Sequence, residues 1–383
     1  MLDSRFFQAC EAAAIEWDVP ALAVGASVGG EIETFSVGCD ADTIFRVASV
    51  TKPFTATLAL ELLDPQAPTG VWPTDVRVRH LLSHTSGYDC ELPTGDQARF
   101  GDGDDALGVQ ALELPSVRRF VGVEQCWSYA NTGFWLAGWL AAEQAGTSYE
   151  DSLARHVLGP AGLEATSFGE PALAGTGANA VPGPYPRARR PSGGLASNVP
   201  DLLRFGQWHL AQPRSAQMRI VHGKPTAGVY GLGMFGERLG DVEVWGHGGS
   251  YGGFESSFLV VPDRDAVFVG LTNASRGSKA LRLIEDEFFD RLLGRRRPVA
   301  EPRDLPVEVR EAFTGSFANS DGWTEVALSD GGLRVTIDDS PFEAQAIGDT
   351  TFEIVSGERV NERFDFPLEG FGRFGSRLAE RVE

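Results

Sequence analysis

A serine hydroxyl becomes a useful nucleophile near neutral pH only with a base in hydrogen-bond reach. The segment FRVASVTKPFTATLALELL places Ser49 and Lys52 at helical spacing. Pro53 is best tolerated in a first helical turn, so the helix is predicted to start near Ser49, with positions 49 and 52 on one face. A helix N-terminus there adds partial positive charge and free backbone N–H groups where an oxyanion would form. A lysine buried among apolar neighbours loses proton affinity, the direction a general base requires. The chain holds only three lysines, Lys52, Lys224 and Lys279, so one at this position stands out. The plain alternative for such a pair is an N-cap followed by a solvated side chain.

Three further segments follow in order: LLSHTSG at 81–87, Tyr129-Ala130-Asn131, and His247-Gly248-Gly249-Ser250. Tyr129 precedes an apolar stretch, 131–143, that reads as a helix, so its hydroxyl is expected at a loop-to-helix corner; the alternative is a packed core tyrosine. Asn131 suits either a hydrogen bond to a substrate or to Lys52, or a helix N-cap. Gly246, Gly248 and Gly249 around His247 clear a strand backbone for close approach of a ligand, or simply allow a bend.

With FRVASVTKPFTA, VRHLLSHTSGY, WSYANTGFWLAG, PSGGLASNVPDLLRFG and WGHGGSYGGFESSFLVVPDRD, the chain resembles the serine β-lactamase-related proteins over about residues 10–290. That group includes class C β-lactamases, D-aminopeptidases, DD-carboxypeptidases and β-lactamase-like esterases. The resemblance implies that Ser49 attacks a carbonyl while Lys52 and Tyr129 take its proton and return one to the leaving group. It makes the backbone N–H groups of Ser49 and Ser250 the oxyanion hole, and sets His247-Gly248-Gly249 where the family carries Lys-Thr-Gly. His84 falls in a loop that packs beneath the site, a structural role.

His247 departs from the β-lactamase pattern. A histidine is largely neutral at pH 7, so the fixed charge that would meet a substrate carboxylate is missing. The expected activity is therefore hydrolysis of an ester or amide through a Ser49 acyl-enzyme, carboxylesterase-like first. A D-amino-acid peptidase or amidase comes second, an acyl-transferring thioesterase-like enzyme third and a β-lactamase last. The non-enzyme alternative is a catalytically silent ligand-binding protein on the same fold.

These residues need a scaffold. Residues 21–28, a Gly29-Gly30 turn and 31–37 read as a β-hairpin; 44–215 is mostly helical, broken by loops at 90–108 and 180–194; strands return at 242–246, 254–261 and 266–272, and a helix at 277–293. The fold class is α+β, a β-lactamase/transpeptidase-like antiparallel sheet flanked by helices, with a helical lobe and the site between them. A Pro- and charge-rich linker at 294–306 leads to short alternating strands at 324–328, 333–337, 342–347 and 351–355, a small sheet or partial barrel. The expected domains are 1–297, the hydrolase, and 298–383, a small β-rich tail that faintly resembles lipocalin-like modules. Such a tail could cover the cleft and restrict substrate length, mediate a homo-oligomer, or only stabilise.

Composition narrows the partners to a small-molecule or short-peptide substrate. A formal charge of −20 opposes nucleic acid and anionic membranes. Four scattered cysteines lack a metal-ligand or disulfide pattern, and no phosphate loop is present, so no metal or cofactor is expected. The N-terminal residues read as an amphipathic helix rather than a secretory signal, which points to the cytoplasm. Loops 90–125 and 170–190 are expected to line the cleft and set specificity.

Overall fold

A computed structural model describes residues 2–92 and 100–382. Of the loops expected at 90–108 and 90–125, residues 93–99 lie outside the described residues.

The apolar, β-branched runs near both ends of the hydrolase region form one antiparallel sheet. Its strands are β1 (Leu22–Val28), β2 (Glu31–Val37), β3 (Val229–Tyr230), β4 (Phe235–Leu239), β5 (Val242–Tyr251), β6 (Phe254–Val261) and β7 (Ala266–Thr272), in the order β2-β1-β7-β6-β5-β4-β3. Strands β1, β6 and β7 are buried along nearly their whole length, as expected of a sheet covered on both faces. Helices α1 (Ser4–Glu16) and α5 (Gly277–Leu293) cover one face. The other face packs against α4 (Val199–Ala211) and the helical lobe. Gly206 lets α4 come close, since a Cβ there would stand 2.4 Å from Val267 Cγ1.

In the lobe, α2 (Thr51–Leu62) and α3 (Asn131–Ala145) pack side by side, and both are apolar nearly all round, the signature of helices buried inside a domain. The ring of Phe54 on α2 stacks on Phe205 of α4 at 3.7 Å, which ties α2 to the sheet layer.

The tail is a closed barrel rather than the small sheet or partial barrel expected. Eight strands, β8 (Gly315–Asn319), β9 (Gly322–Ser329), β10 (Gly332–Ile337), β11 (Ser340–Ala346), β12 (Thr351–Ile354), β13 (Arg363–Leu368), β14 (Phe371–Phe374) and β15 (Arg377–Arg381), pair each with the next, and β15 returns to β8. Closure removes the exposed edges that an open sheet would carry. Phe317, Phe352, Phe364, Phe366 and Phe374 pack with Val326, Leu333 and Val335 in one buried cluster, so side chains fill the barrel.

The barrel is pinned to the hydrolase region by a buried ion pair. Arg373 on β14 meets Asp365 on β13 through Nη2 (2.5 Å) and Nε (2.8 Å), and its Nη1 donates to the carbonyls of Trp127 (2.9 Å) and Lys224 (3.0 Å). Asp365→Ala would leave that guanidinium buried without a counter-charge, at a cost of about 3–5 kcal/mol. Chemical denaturation should show this loss, and Asp365→Ala combined with Arg373→Met should recover part of it.

Candidate active site

Ser49 sits in a single 3-10 turn, Ala48–Val50, directly ahead of α2. The backbone of Ala48 is in the left-handed region (φ 46°), a strained conformation that turns the chain sharply just before Ser49. Lys52 lies in the first turn of α2 and is completely buried. Its Nζ donates to Ser49 Oγ at 3.2 Å and to the Ser192 carbonyl at 2.7 Å. Burial lowers the proton affinity of Lys52 well below the usual lysine range; the charge of Arg377 adds to this and Glu91 opposes it. The amine is therefore suited to accept the serine proton.

Tyr129 is at the corner anticipated for it, immediately before α3, and its hydroxyl donates to Ser49 Oγ at 3.0 Å. Burial raises its pKa, with the Ser49 hydrogen bond opposing, so the phenol keeps its proton. His84 accordingly supports Tyr129 from beneath: its Nδ1 accepts from the Ala130 N–H at 3.0 Å, its carbonyl accepts from Ser128 N–H at 3.0 Å, and its ring lies 4.3 Å from the Tyr129 ring.

Asn131 is not an N-cap. That place belongs to Ala130, and Asn131 is the first helical residue, donating to Glu91 Oε1 at 2.6 Å. The other oxygen of Glu91 pairs with Arg189 at 3.0 Å. The hydrogen bonds of Lys52 run to Ser49 and Ser192, so the alternative in which Asn131 orients the lysine is not what the geometry shows.

The third motif lies on a strand, as expected, and that strand runs on to Tyr251 rather than ending at 246. Pairing of β5 with β6 continues to Tyr251, whereas pairing with β4 stops at Gly246. Residues 247–251 thus present an edge without a β4 partner beside Ser49, a place where an extended ligand can pair with backbone. Gly249 fits against the turn that carries Ser49: a Cβ there would stand 2.2 Å from the Val47 carbonyl oxygen and 3.1 Å from the Ser49 nitrogen. His247 is 3% exposed, and its Nδ1 donates to the Gly248 carbonyl at 2.5 Å. Burial, helped by the nearby Lys52, pushes its pKa down to about 3, so it carries no charge at neutral pH.

Two cavities meet at Ser49 and Tyr129. One, of about 330 Å³, is bordered by Glu91, Asn131, Tyr185, Arg189 and Ser250. The second, of about 440 Å³, reaches over β5 toward α5. A larger surface cleft of about 570 Å³ around Trp139 and Glu150 lies elsewhere and contains none of the motif residues. Arg377, from the first position of β15, borders both of the cavities at Ser49 and pairs with Asp321. The turn before it is sewn to the site: Tyr129 N–H donates to the Ser376 carbonyl at 2.9 Å and Leu378 N–H to Ser128 Oγ at 2.9 Å.

This arrangement of serine, buried amine and phenol at a sheet edge lies within the region that matches the Beta-lactamase family model, residues 7–288. The chain belongs to the β-lactamase family. Penicillin-binding protein 4 of Amycolatopsis lactamdurans is 27% identical over 360 residues, covering 76% of this chain and 92% of that protein. Among solved structures, SurE crystallised with D-Leu superposes with a TM-score of 0.80 at 21% identity, covering 99% of both chains. A D-stereospecific amidohydrolase from Streptomyces sp. superposes with a TM-score of 0.61 at 27% identity, covering 72% of this chain and 96% of that one. The family is one of serine hydrolases, in keeping with the hydrolase reading of the sequence. No helix among the described residues is long and apolar enough to cross a membrane.

Residue types and spacing did not point to Glu91, Ser192, Arg189 or Arg377. Arg189 lies two residues before the PSGGLAS stretch, and Ser192 is its second residue. Ser192 acts through a backbone carbonyl, for which side-chain patterns carry no sign.

Proposed function

We propose that the protein hydrolyses an amide or ester bond of an amino-acid or short-peptide substrate through an acyl-enzyme on Ser49, with preference for a D-configured residue. The observation that carries this reading is Ser49 Oγ held between a buried amine at 3.2 Å and a protonated phenol at 3.0 Å. Lys52, in its neutral form, takes the proton of Ser49 as Oγ attacks the carbonyl. The backbone N–H groups of Ser49 and Ser250 receive the oxyanion. Tyr129 passes a proton to the leaving group, and Lys52 replaces it. Water then attacks the acyl-enzyme by the reverse relay.

Charged groups lining the first cavity support a substrate of the amino-acid type: Glu91 paired with Arg189, and Asp321 paired with Arg377. The preference for D residues draws on the likeness to the D-stereospecific amidohydrolase. The carboxylesterase-like reading retains one supporting observation, the uncharged His247.

The test is intact-protein mass spectrometry after a fluorophosphonate probe, followed by turnover of D- and L-phenylalanine p-nitroanilide and of p-nitrophenyl butyrate. One adduct on Ser49, absent in Ser49→Ala, with D favoured over L by about tenfold or more in kcat/KM, is the expected result. Fast butyrate turnover without cleavage of either anilide would favour the esterase. No adduct and no turnover would move the protein to the silent binding class.

A further inference from the structure

The second cavity contains a buried acid that the acyl-transfer chemistry does not use. Glu255, the second residue of β6, pairs opposite Ser250, is 9% exposed, and accepts a hydrogen bond from Ser250 Oγ at 2.6 Å. It forms no ion pair among the described residues, which sets it apart from its neighbours in the same cavity. Glu285 accepts from Ser257 Oγ at 2.6 Å and is matched by Arg297 at 2.8 Å. Arg282 faces Asp286 at 3.8 Å. Burial pushes the Glu255 acid up to about 8, so ionisation is costly there until a cation arrives.

The place of this acid matters as much as its burial. The cavity runs from Ser49 and Tyr129 over the edge of β5 to Glu255, under a roof formed by Gly375–Arg377. Tyr129 is the proton donor to the departing group in the mechanism above, and the first cavity, with Asn131 and Glu91, remains for the acyl part.

Resting on that acyl-enzyme reading, we propose that the cavity between β5 and α5 is a leaving-group subsite for an amine that carries a second, distal cationic group, with Glu255 as its anchor. A cation seated there would complete the one buried carboxyl in the cavity that has no counter-charge. The acyl C–N bond breaks at Ser49, the departing nitrogen takes its proton from Tyr129, and the distal ammonium stays paired with Glu255 until the product leaves.

Two amides with one acyl group test this: D-phenylalanine 5-aminopentyl amide and D-phenylalanine pentyl amide, cleaved by wild type and by Glu255→Gln. The readout is the ratio of their kcat/KM values, which does not depend on how much of a variant is folded. Wild type is expected to favour the aminopentyl amide by about tenfold or more, the range of a charge-assisted hydrogen bond in a buried site, and Glu255→Gln to bring the ratio close to one. A wild-type ratio near one, or a ratio that survives Glu255→Gln, would overturn the subsite. A uniform loss on both amides with the ratio kept would show instead that Glu255 only positions Ser250, which also overturns it. Failure of the acyl-enzyme reading is separately visible, because the fluorophosphonate adduct on Ser49 would then be missing.

Discussion

Lys52→Met is expected to yield a protein that is nearly inactive yet more stable than the wild type. Activity should fall by about 10³–10⁴ in kcat/KM, because Ser49 loses the group that takes its proton and no other side chain amine is within reach. Stability should move the other way. The folded-state pKa of Lys52 is depressed below the ordinary value of 10.5, with burial as the main cause. The unfolded chain therefore binds a proton that the folded chain rejects, and ∂ΔG/∂pH for this group is positive between the folded and unfolded values. The cost of burying Lys52 is greatest at and below its folded pKa and disappears above about 10.5. Methionine fills much the same volume without that cost. Thermal unfolding at pH 6, 7.5 and 9 should show Lys52→Met melting above the wild type, with a gap that narrows as pH rises. In wild type, kcat/KM for an uncharged ester should decline on the acid side as Lys52 becomes protonated. A Lys52→Met protein that keeps a tenth of the activity, or that melts lower than wild type at every pH, would remove the lysine from the role given to it here.

Local features of this site could be read from the chain because each is carried within a few residues. Pro53 marks the start of the helix after Ser49, an apolar run follows Tyr129, and glycines surround His247; the observed helix starts follow the first two signals closely. The strand carrying the third motif ran longer than anticipated, Val242–Tyr251 rather than 242–246. Glycines weaken strand propensity in isolation. Here the partner β6 is buried and unbroken, so pairing overrides the local preference. The helix-capping alternative for Asn131 fails because the helix begins one residue early: Ala130 takes the extended N-cap position and Asn131 is already helical, its amide N–H donating to Glu91.

The contribution of the tail was hidden for a different reason. Short strands such as Phe371–Phe374 and Arg377–Arg381 give weak periodic signals, and only closure of the barrel reveals them as neighbours. Their consequence for the site, Arg377 over Ser49, depends on the buried Arg373–Asp365 pair and on the backbone bonds to Ser128 and Tyr129. None of these has a sequence pattern. Of the three roles open to the tail, a part in bordering the cleft is the one with residues to support it.

Gly249→Ala is expected to lower kcat by about 10²–10³, the scale on which an oxyanion donor is lost. The argument is steric. A methyl group at this position would stand 2.2 Å from the Val47 carbonyl oxygen and 2.3 Å from Ser256 Oγ, the two partners of a 2.8 Å hydrogen bond that ties β6 to the nucleophile turn. It would also come within 3.1 Å of the Ser49 nitrogen. The conflict is with backbone on the Val47 side, so it is relieved only by moving β5 away from Ser49, which separates the two N–H groups proposed to share the oxyanion. Gly248→Ala, one residue earlier, meets nothing closer than the Ser256 carbonyl oxygen at 3.6 Å, an ordinary contact, and should cost much less. Because the two variants make the same chemical change in adjacent residues of one strand, their comparison isolates the position. Steady-state kinetics should place the Gly249→Ala loss in kcat more than in KM, and the rate of fluorophosphonate labelling at Ser49 should fall with it, since phosphonylation also builds negative charge on an oxygen in the hole. Equal activity of the two variants would show that β5 does not supply a donor to the oxyanion, and the second N–H would have to be sought elsewhere around the nucleophile turn.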